Sequence, residues 1–232
     1  MKSQVLKLYG LTKDEIVSAS NSLEFDHGKV FVTVKEKYKD AYVVLETKND
    51  NCDEEFQKAL SAFAVYFSKQ IYADSDISLY ERLYQFLSVK NLTICLAEQG
   101  TGGIITQNLM TFDKAEKHVK ASYVLPSIKQ MIDHFDLNPF KITANRGVCG
   151  EIAFDIASHI RARIPADLYV VSLSTLAEGN ELYYNGNEIA YVAIGTTHGV
   201  NMLKIENCGG TKRDFMNQVA KTICFKLINI LK

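Results

Sequence analysis

The chain has 232 residues, enough for one large domain or two modest ones, and 47% hydrophobic against 23% charged residues marks a packed globular protein and not a disordered chain. A formal net charge of −1 supplies no overall attraction to nucleic acid or to an anionic membrane surface. The five cysteines (Cys52, Cys95, Cys149, Cys208, Cys224) include no CxxC pair and read as reduced thiols, no run approaches a membrane span of roughly 18 apolar residues, and no charged head precedes an apolar N-terminal run. A cytoplasmic setting is therefore expected.

Residues 1–75 read as a small α+β domain. Val5–Tyr9 is a strand candidate, and Thr12 with Glu15 spells a capping box opening a helix. Lys29–Val34 and Ala41–Glu46 are β-rich and look like an antiparallel pair. Asp53 can cap a second helix, along which Phe56, Leu60, Phe63, Ala64, Phe67 and Ile71 recur at helical spacing. The polar Tyr72–Asp76 segment reads as a boundary, and Asp76 as the cap of the next helix.

Residues 76–232 alternate: helix 77–89, strand 91–96, helix 103–111, strand 117–124, helix 126–136, helix 150–162 and strand 167–173, then strands near 189–195 and 199–206 and a helix from about 211 to 231. The alternation predicts a three-layer α/β/α sandwich with a mixed, mostly parallel sheet. The last two strands are close enough in sequence to form an antiparallel hairpin.

The most informative stretch is Ala97-Glu98-Gln99-Gly100-Thr101-Gly102-Gly103, between a strand candidate and a helix candidate. Backbone N–H groups at such a bend can converge on one point near a helix start, a setting that favours phosphate or carboxylate. The alternative is an ordinary strand-to-helix turn. Glu98 is either a functional carboxylate or an acid held by the helix dipole, and Thr101 either a ligand contact or a helix cap. Cys149 precedes a helix, where a thiolate would be favoured, or it is a small buried residue. The histidines at 27, 118, 134, 159 and 198 lack metal-ligand spacing, so no metal and no cofactor is expected.

With that turn in place the chain resembles the CinA family (competence/damage-inducible protein A), specifically its C-terminal nicotinamide-nucleotide amidase domain. The family's turn reads Ala-Glu-Ser-Cys-Thr-Gly-Gly, matched here by Ala97, Glu98, Thr101, Gly102 and Gly103. Tyr123 and Lys129 follow the next strand as a tyrosine and lysine do in the family, with one residue more between them. Gly147-Val148-Cys149-Gly150-Glu151-Ile152-Ala153 resembles the family's Gly-x-Val-Ser-x-x-x-Ala helix opening. Residues 1–75, with Leu8-Tyr9-Gly10-Leu11, resemble the small KH-type domain that precedes the amidase.

The departures bear on chemistry. Gln99 stands in place of the attacking serine and Gly100 in place of the cysteine, so acyl transfer has no nucleophile at position 99. The family's Thr-Gly-x-Ala-Gly-Pro loop becomes Ser172-Leu173-Ser174-Thr175-Leu176, and its Gly-Asp-Arg pattern becomes Gly210-Thr211-Lys212, or shifts by one residue onto Arg213. The resemblance implies candidate catalytic residues Glu98, Thr101, Lys129 and Cys149, and candidate ligand contacts Gln99, Gly100, Thr101, Gly102, Gly103, Tyr123, Ser172 and Lys212. Two functions remain open: a degenerate homologue that binds a nucleotide or other anionic small molecule, or an amidase with a relocated nucleophile releasing ammonia from nicotinamide mononucleotide. A homodimer is expected from the resemblance. No membrane contact is expected, and Asp26-His27-Gly28-Lys29 lacks the second glycine of a GXXG clamp, which argues against nucleic acid.

Overall fold

The computed structural model describes residues 2–48, 52–144, 148–175, 187–207 and 209–232, in two compact units, Met1–Arg82 and Leu83–Lys232. Among the described residues no helix is long and apolar enough to cross a membrane.

The first unit runs β1 (Ser3–Tyr9), α1 (Lys13–Ser22), β2 (Val30–Lys37), β3 (Asp40–Thr47), α2 (Asp53–Tyr66) and β4 (Ile71–Ala73). Thr12 opens α1 with the expected box: its hydroxyl accepts from the Glu15 N–H at 3.3 Å, and the Glu15 carboxylate accepts from the Thr12 N–H at 2.8 Å. Tyr38 and Lys39 both hold positive φ, 58° and 59°, as the tight turn of a right-twisted hairpin between β2 and β3 requires. The strands form one antiparallel sheet in the order β2-β3-β1-β4, the split βαβ arrangement. Period-two alternation sends Leu6, Leu8, Val30, Val34, Ala41, Val43 and Leu45 under the helices, against Ile16, Phe56 and Phe63.

Two expectations at α2 need correction. Cys52, not Asp53, is the N-cap, and its side chain makes no capping bond. The buried stripe is Phe56, Ala59, Phe63 and Phe67, while Ala64 is exposed and Leu60 only partly buried. Ile71 leaves the helix altogether, because Phe67 ends α2 and the chain turns to pair with β1 at Leu8. Tyr72 and Ala73 are buried strand residues and not part of a polar boundary.

α3 (Leu79–Val89) spans the division at 82/83. Its cap is Ser78, whose hydroxyl accepts from the Glu81 N–H at 3.0 Å, in place of the expected Asp76. The second unit continues with β5 (Ile94–Glu98), α4 (Ile104–Leu109), a 3₁₀ turn at Ala115–Lys117, β6 (Val119–Tyr123), α5 (Ile128–Phe135), α6 (Pro139–Ala144), α7 (Gly150–Arg163), β7 (Leu168–Ser174), β8 (Ile189–Thr196), β9 (Gly199–Glu206) and α8 (Lys212–Leu231). α6 is an addition to the expected elements; six residues are too few for a helical period to show. The sheet order is β6-β5-β7-β8-β9, with β5 parallel to β6 and β7, and β8 antiparallel to β7 and β9. Thus β8 alone opposes the other four strands, and the fold is the expected α/β sandwich on a mixed sheet.

β7 is buried along its whole length, as a central strand covered on both faces must be. On one face Cys95, Ala97, Tyr169, Val171 and Leu173 pack with Met131 and Phe135 of α5 and with Ile152, Ile156 and Ile160 of α7. On the other, α8 packs on β8 and on α4, burying Phe215, Val219, Ile223 and Leu227. Each such side chain contributes roughly 1.5–3 kcal/mol when fully buried. The carboxyl ends of β5 and β7, held between these layers, are where parallel strands present ligand-binding loops.

Candidate functional site

β5 ends in Glu98, and the chain bends there because β7 lies alongside. The N–H groups of Gln99 and Gly100 both donate to the Ser172 carbonyl, at 3.0 and 2.8 Å. Gly100 is required by this close approach: a Cβ there would lie 3.0 Å from the Leu173 carbonyl carbon and 3.1 Å from the Ser174 Cβ. Gly102 and Gly103 turn the chain into α4 with φ of +60° and +89°, the left-handed region glycine tolerates best.

The Ile105 and Thr106 amides in the first turn of α4 are not open to an outside anion. Glu98 is 1% exposed and occupies them itself. Its Oε2 accepts from the Thr101 hydroxyl at 2.6 Å and the Ile105 N–H at 2.9 Å, and its Oε1 from the Thr106 N–H at 2.7 Å and the Thr106 hydroxyl at 2.5 Å. The Ile104 N–H donates to the Thr101 carbonyl at 3.2 Å. A carboxylate has about four lone-pair sites, and here four donors occupy them. Both of its oxygens are thus engaged within the protein. Glu98 ties β5 to α4, and its charge compensates the first-turn amides of that helix.

Thr101 is a partner of this carboxylate and not the cap of α4. The N-cap is Gly103, which has no side chain to offer. The Thr101 hydroxyl is fully buried and lies 3.0 Å from the Ser172 hydroxyl. The network extends to β6 through the Thr106 and Ser122 hydroxyls, 2.5 Å apart. Thr106 and Ser122 are not among the sequence candidates, whereas Ser174 follows Ser172 at the strand end where a ligand contact is expected. What they share is a hydroxyl at a strand end or in a first helical turn, a placement that many structural serines and threonines also have.

Gln99 lies on the other side of the bend. Its side-chain oxygen accepts from the Ser174 N–H at 2.6 Å, fixing the amide against β7. A narrow apolar cleft adjoins it, lined by Ala97, Tyr123, Leu125, Phe135, Ile156 and Leu173. Tyr123 ends β6 and packs against His134 and Phe135, with ring centroids 4.7 and 5.5 Å away. The structure thus brings together Glu98, Gln99, Gly100, Thr101, Gly102, Gly103 and Ser172, with Tyr123 on the neighbouring strand.

The other sequence candidates stand apart from this network. Lys129 is exposed on α5 and Lys212 on the first turn of α8, each with no ion pair among the described residues. The first turn of α8 is closed by its own box: the Thr211 N–H donates to the Asp214 carboxylate at 2.8 Å, and the Asp214 N–H to the Thr211 hydroxyl at 3.2 Å. Cys149 is the half-buried N-cap of α7, its sulfur making no capping bond and packing against the α5–α7 core. Gly147, Leu176 and Cys208 lie outside the described residues. Burial, and then the negative charge of Glu98, push the Cys224 thiol far up, and burial raises that of Cys95, so both stay protonated and unreactive. Among the described residues no cluster of His, Cys, Asp or Glu could hold a metal ion.

The family model for the CinA C-terminal domain matches residues 76–231. A putative competence-damage inducible protein of Alkaliphilus oremlandii (strain OhILAs) is 30% identical over 160 residues, 68% of this chain and 38% of that one. A putative competence-damage inducible protein of Streptococcus agalactiae serotype III (strain NEM316) is 21% identical over 238 residues, 97% of this chain and 56% of that one. The chain spans between 24% and 56% of the length of such relatives. Among solved structures, the competence or damage-inducible protein from Enterobacter asburiae superposes with a TM-score of 0.58 at 17% identity, covering 66% of this chain and 96% of that chain. This last likeness is one of fold.

Proposed function

The chain belongs to the CinA family through residues 76–231, and on that premise we propose that this domain binds a nucleotide or similar anionic small molecule at the carboxyl ends of β5 and β7 without hydrolysing it. The observation that carries the reading is Gln99. It occupies the position of the attacking serine, offers no hydroxyl, and spends its side-chain oxygen on the Ser174 N–H at 2.6 Å. Thr101 does not replace it, because that hydroxyl is buried and engaged with Glu98. Room for a ligand's negative group is left at the N–H groups of Gly102 and Gly103, which make no backbone hydrogen bond among the described residues. Two chains forming a homodimer complete the reading.

The test is ammonia release from nicotinamide mononucleotide by the purified chain, run beside calorimetric titration of the same compound. Binding without release is expected. Release by the native chain that disappears in Cys149→Ala would overturn the reading in favour of a relocated nucleophile. Absence of heat with nicotinamide mononucleotide and with other mononucleotides would remove the ligand half of it, and light scattering at the mass of one chain would remove the dimer.

A further inference from the structure

We propose that the open face of the first unit's sheet binds single-stranded nucleic acid, by stacking bases on Phe31 and Tyr42 and holding phosphates with Lys35, Lys37 and Lys48. This stands on residues of the first unit alone, is independent of the ligand reading above, and departs from the sequence expectation of no nucleic-acid contact, which rested on the overall charge and the Asp26–Lys29 loop and not on this face.

Alternation along the strands separates the two faces. Val30, Val34, Ala41, Val43, Leu45, Leu6 and Leu8 point under α1 and α2. Their neighbours Phe31, Thr33 and Lys35 on β2, and Tyr42, Val44 and Glu46 on β3, therefore line the opposite face. On a solvated face of an antiparallel sheet, polar residues are the ordinary content. Here two aromatic rings stand among lysines. Lys35 is cross-strand from Tyr42 and Lys37 from Asp40. Lys48 holds its ammonium 4.5 Å from the centre of the Phe31 ring, and Lys7 lies 5.6 Å from that of Tyr42. Thr33, Lys35, Lys37 and Lys48 are exposed, and Phe31 and Tyr42 partly so.

Charge decides between occupants. Four lysines (Lys7, Lys35, Lys37, Lys48) share this face with two carboxylates, and one of those, Asp40, already pairs with Lys7 at 3.7 Å and accepts from the Tyr72 hydroxyl at 2.8 Å. That buried group closes the β1–β4 side of the face. Among the described strand residues, the β2–β3 side keeps Lys35, Lys37 and Lys48 against Glu46. An apolar protein surface has no use for this excess of cations around two rings, whereas a single strand supplies both a phosphate for each ammonium and a π-face for each ring. A four-stranded sheet in β-α-β-β-α-β order that stacks bases on its aromatic side chains is an established way to read single-stranded RNA. β3 carries no glycine-containing RNP1 run, so the inference rests on the composition of the face and not on a motif.

The experiment is fluorescence polarisation of the full chain with labelled single-stranded RNA and DNA of about ten nucleotides, and with a DNA duplex. Single strands are expected to bind and the duplex much more weakly. Three lysine–phosphate contacts give a salt slope near −2, so affinity should fall about 20-fold between roughly 50 and 200 mM salt. Combined Lys35→Ala, Lys37→Ala and Lys48→Ala, all at exposed positions, should flatten that slope. Phe31→Ala or Tyr42→Ala should weaken binding about 5- to 150-fold, while Tyr42→Phe keeps it. A preference for RNA or for DNA identifies the physiological strand, the 2′-hydroxyl being the distinguishing contact, and either supports the proposal. No binding by the native chain, equal binding of the duplex, or a slope and affinity unchanged in the triple-lysine variant overturns it.

Discussion

Replacing Glu98 by glutamine removes a charge from the centre of the second unit and leaves the shape nearly unchanged. Each carboxylate oxygen serves one backbone N–H and one hydroxyl, at distances of 2.5–2.9 Å. A glutamine can keep one oxygen in place, but its NH₂ must then face either the Ile105 or the Thr106 amide. The threonine hydroxyl on that side can rotate to accept, whereas the amide cannot, and one buried N–H is orphaned. Orphaning a buried donor costs about 1–3 kcal/mol, and converting charge-assisted bonds to neutral ones adds to it, for a total near 3 kcal/mol. For a domain of this size that lowers Tm by roughly 6–12 °C. Calorimetric melting of native chain and Glu98→Gln, with circular dichroism to confirm a native fold at low temperature, measures it. A Tm unchanged or raised in the variant would refute the reasoning. It would mean that Glu98 is held at a cost to stability, as functional carboxylates are, and does not hold the bend together.

Gly100→Ala should destabilise by about 1–3 kcal/mol in urea titrations, since the new methyl meets β7 main chain that cannot move aside. At Gly102 the clash is with the flexible end of Met216, so Gly102→Ala should cost mainly the left-handed backbone, about 1–2 kcal/mol. Thr211→Ala removes one bond of the box that opens α8 and should cost about 1 kcal/mol by the same measurement. Burial, and then the nearby Arg163, hold the His159 imidazole below its ordinary value, and its Nε2 is buried with no hydrogen-bond partner among the described residues. The unfolded chain then binds the proton first as pH falls below about 6.5, so stability should decline from there until the folded-state value is passed. His159→Phe should lose that acid limb in denaturation curves taken from pH 7.5 down to about 5.

What could be read from the residues was mostly local. Thr12 and Glu15 lie three apart and announce α1 unaided, and the short Gly195–Gly199 link gives the β8–β9 hairpin its direction. The α2 stripe shows where such reading ends: Phe67 and Ile71 keep helical spacing, yet pairing with β1 at Leu8 takes Ile71 into a strand. The turn at Ala97–Gly103 was visible as a strand-to-helix bend. Its content was not, because the group answering the helix amides is an acid seven residues before Ile105, outside any capping pattern, and the bend is shaped by the Ser172 carbonyl. That Gln99 carries no hydroxyl could be read directly, as a property of the residue; the anchoring of its amide on Ser174 could not.

The partners of this bend are far apart along the chain: Thr101 meets Ser172 across 71 positions, and Gln99 meets Ser174 across 75. A ribosome must therefore make β6, α5, α6 and α7 before β7 exists to receive β5. Until then the Gln99 and Gly100 amides have only water to bond, and the loop has no fixed shape. Long-range closures of this kind slow folding, and they leave the bend unformed until β7 has been made. A chain interrupted before residue 172 should thus display the sequence of the site and none of its geometry.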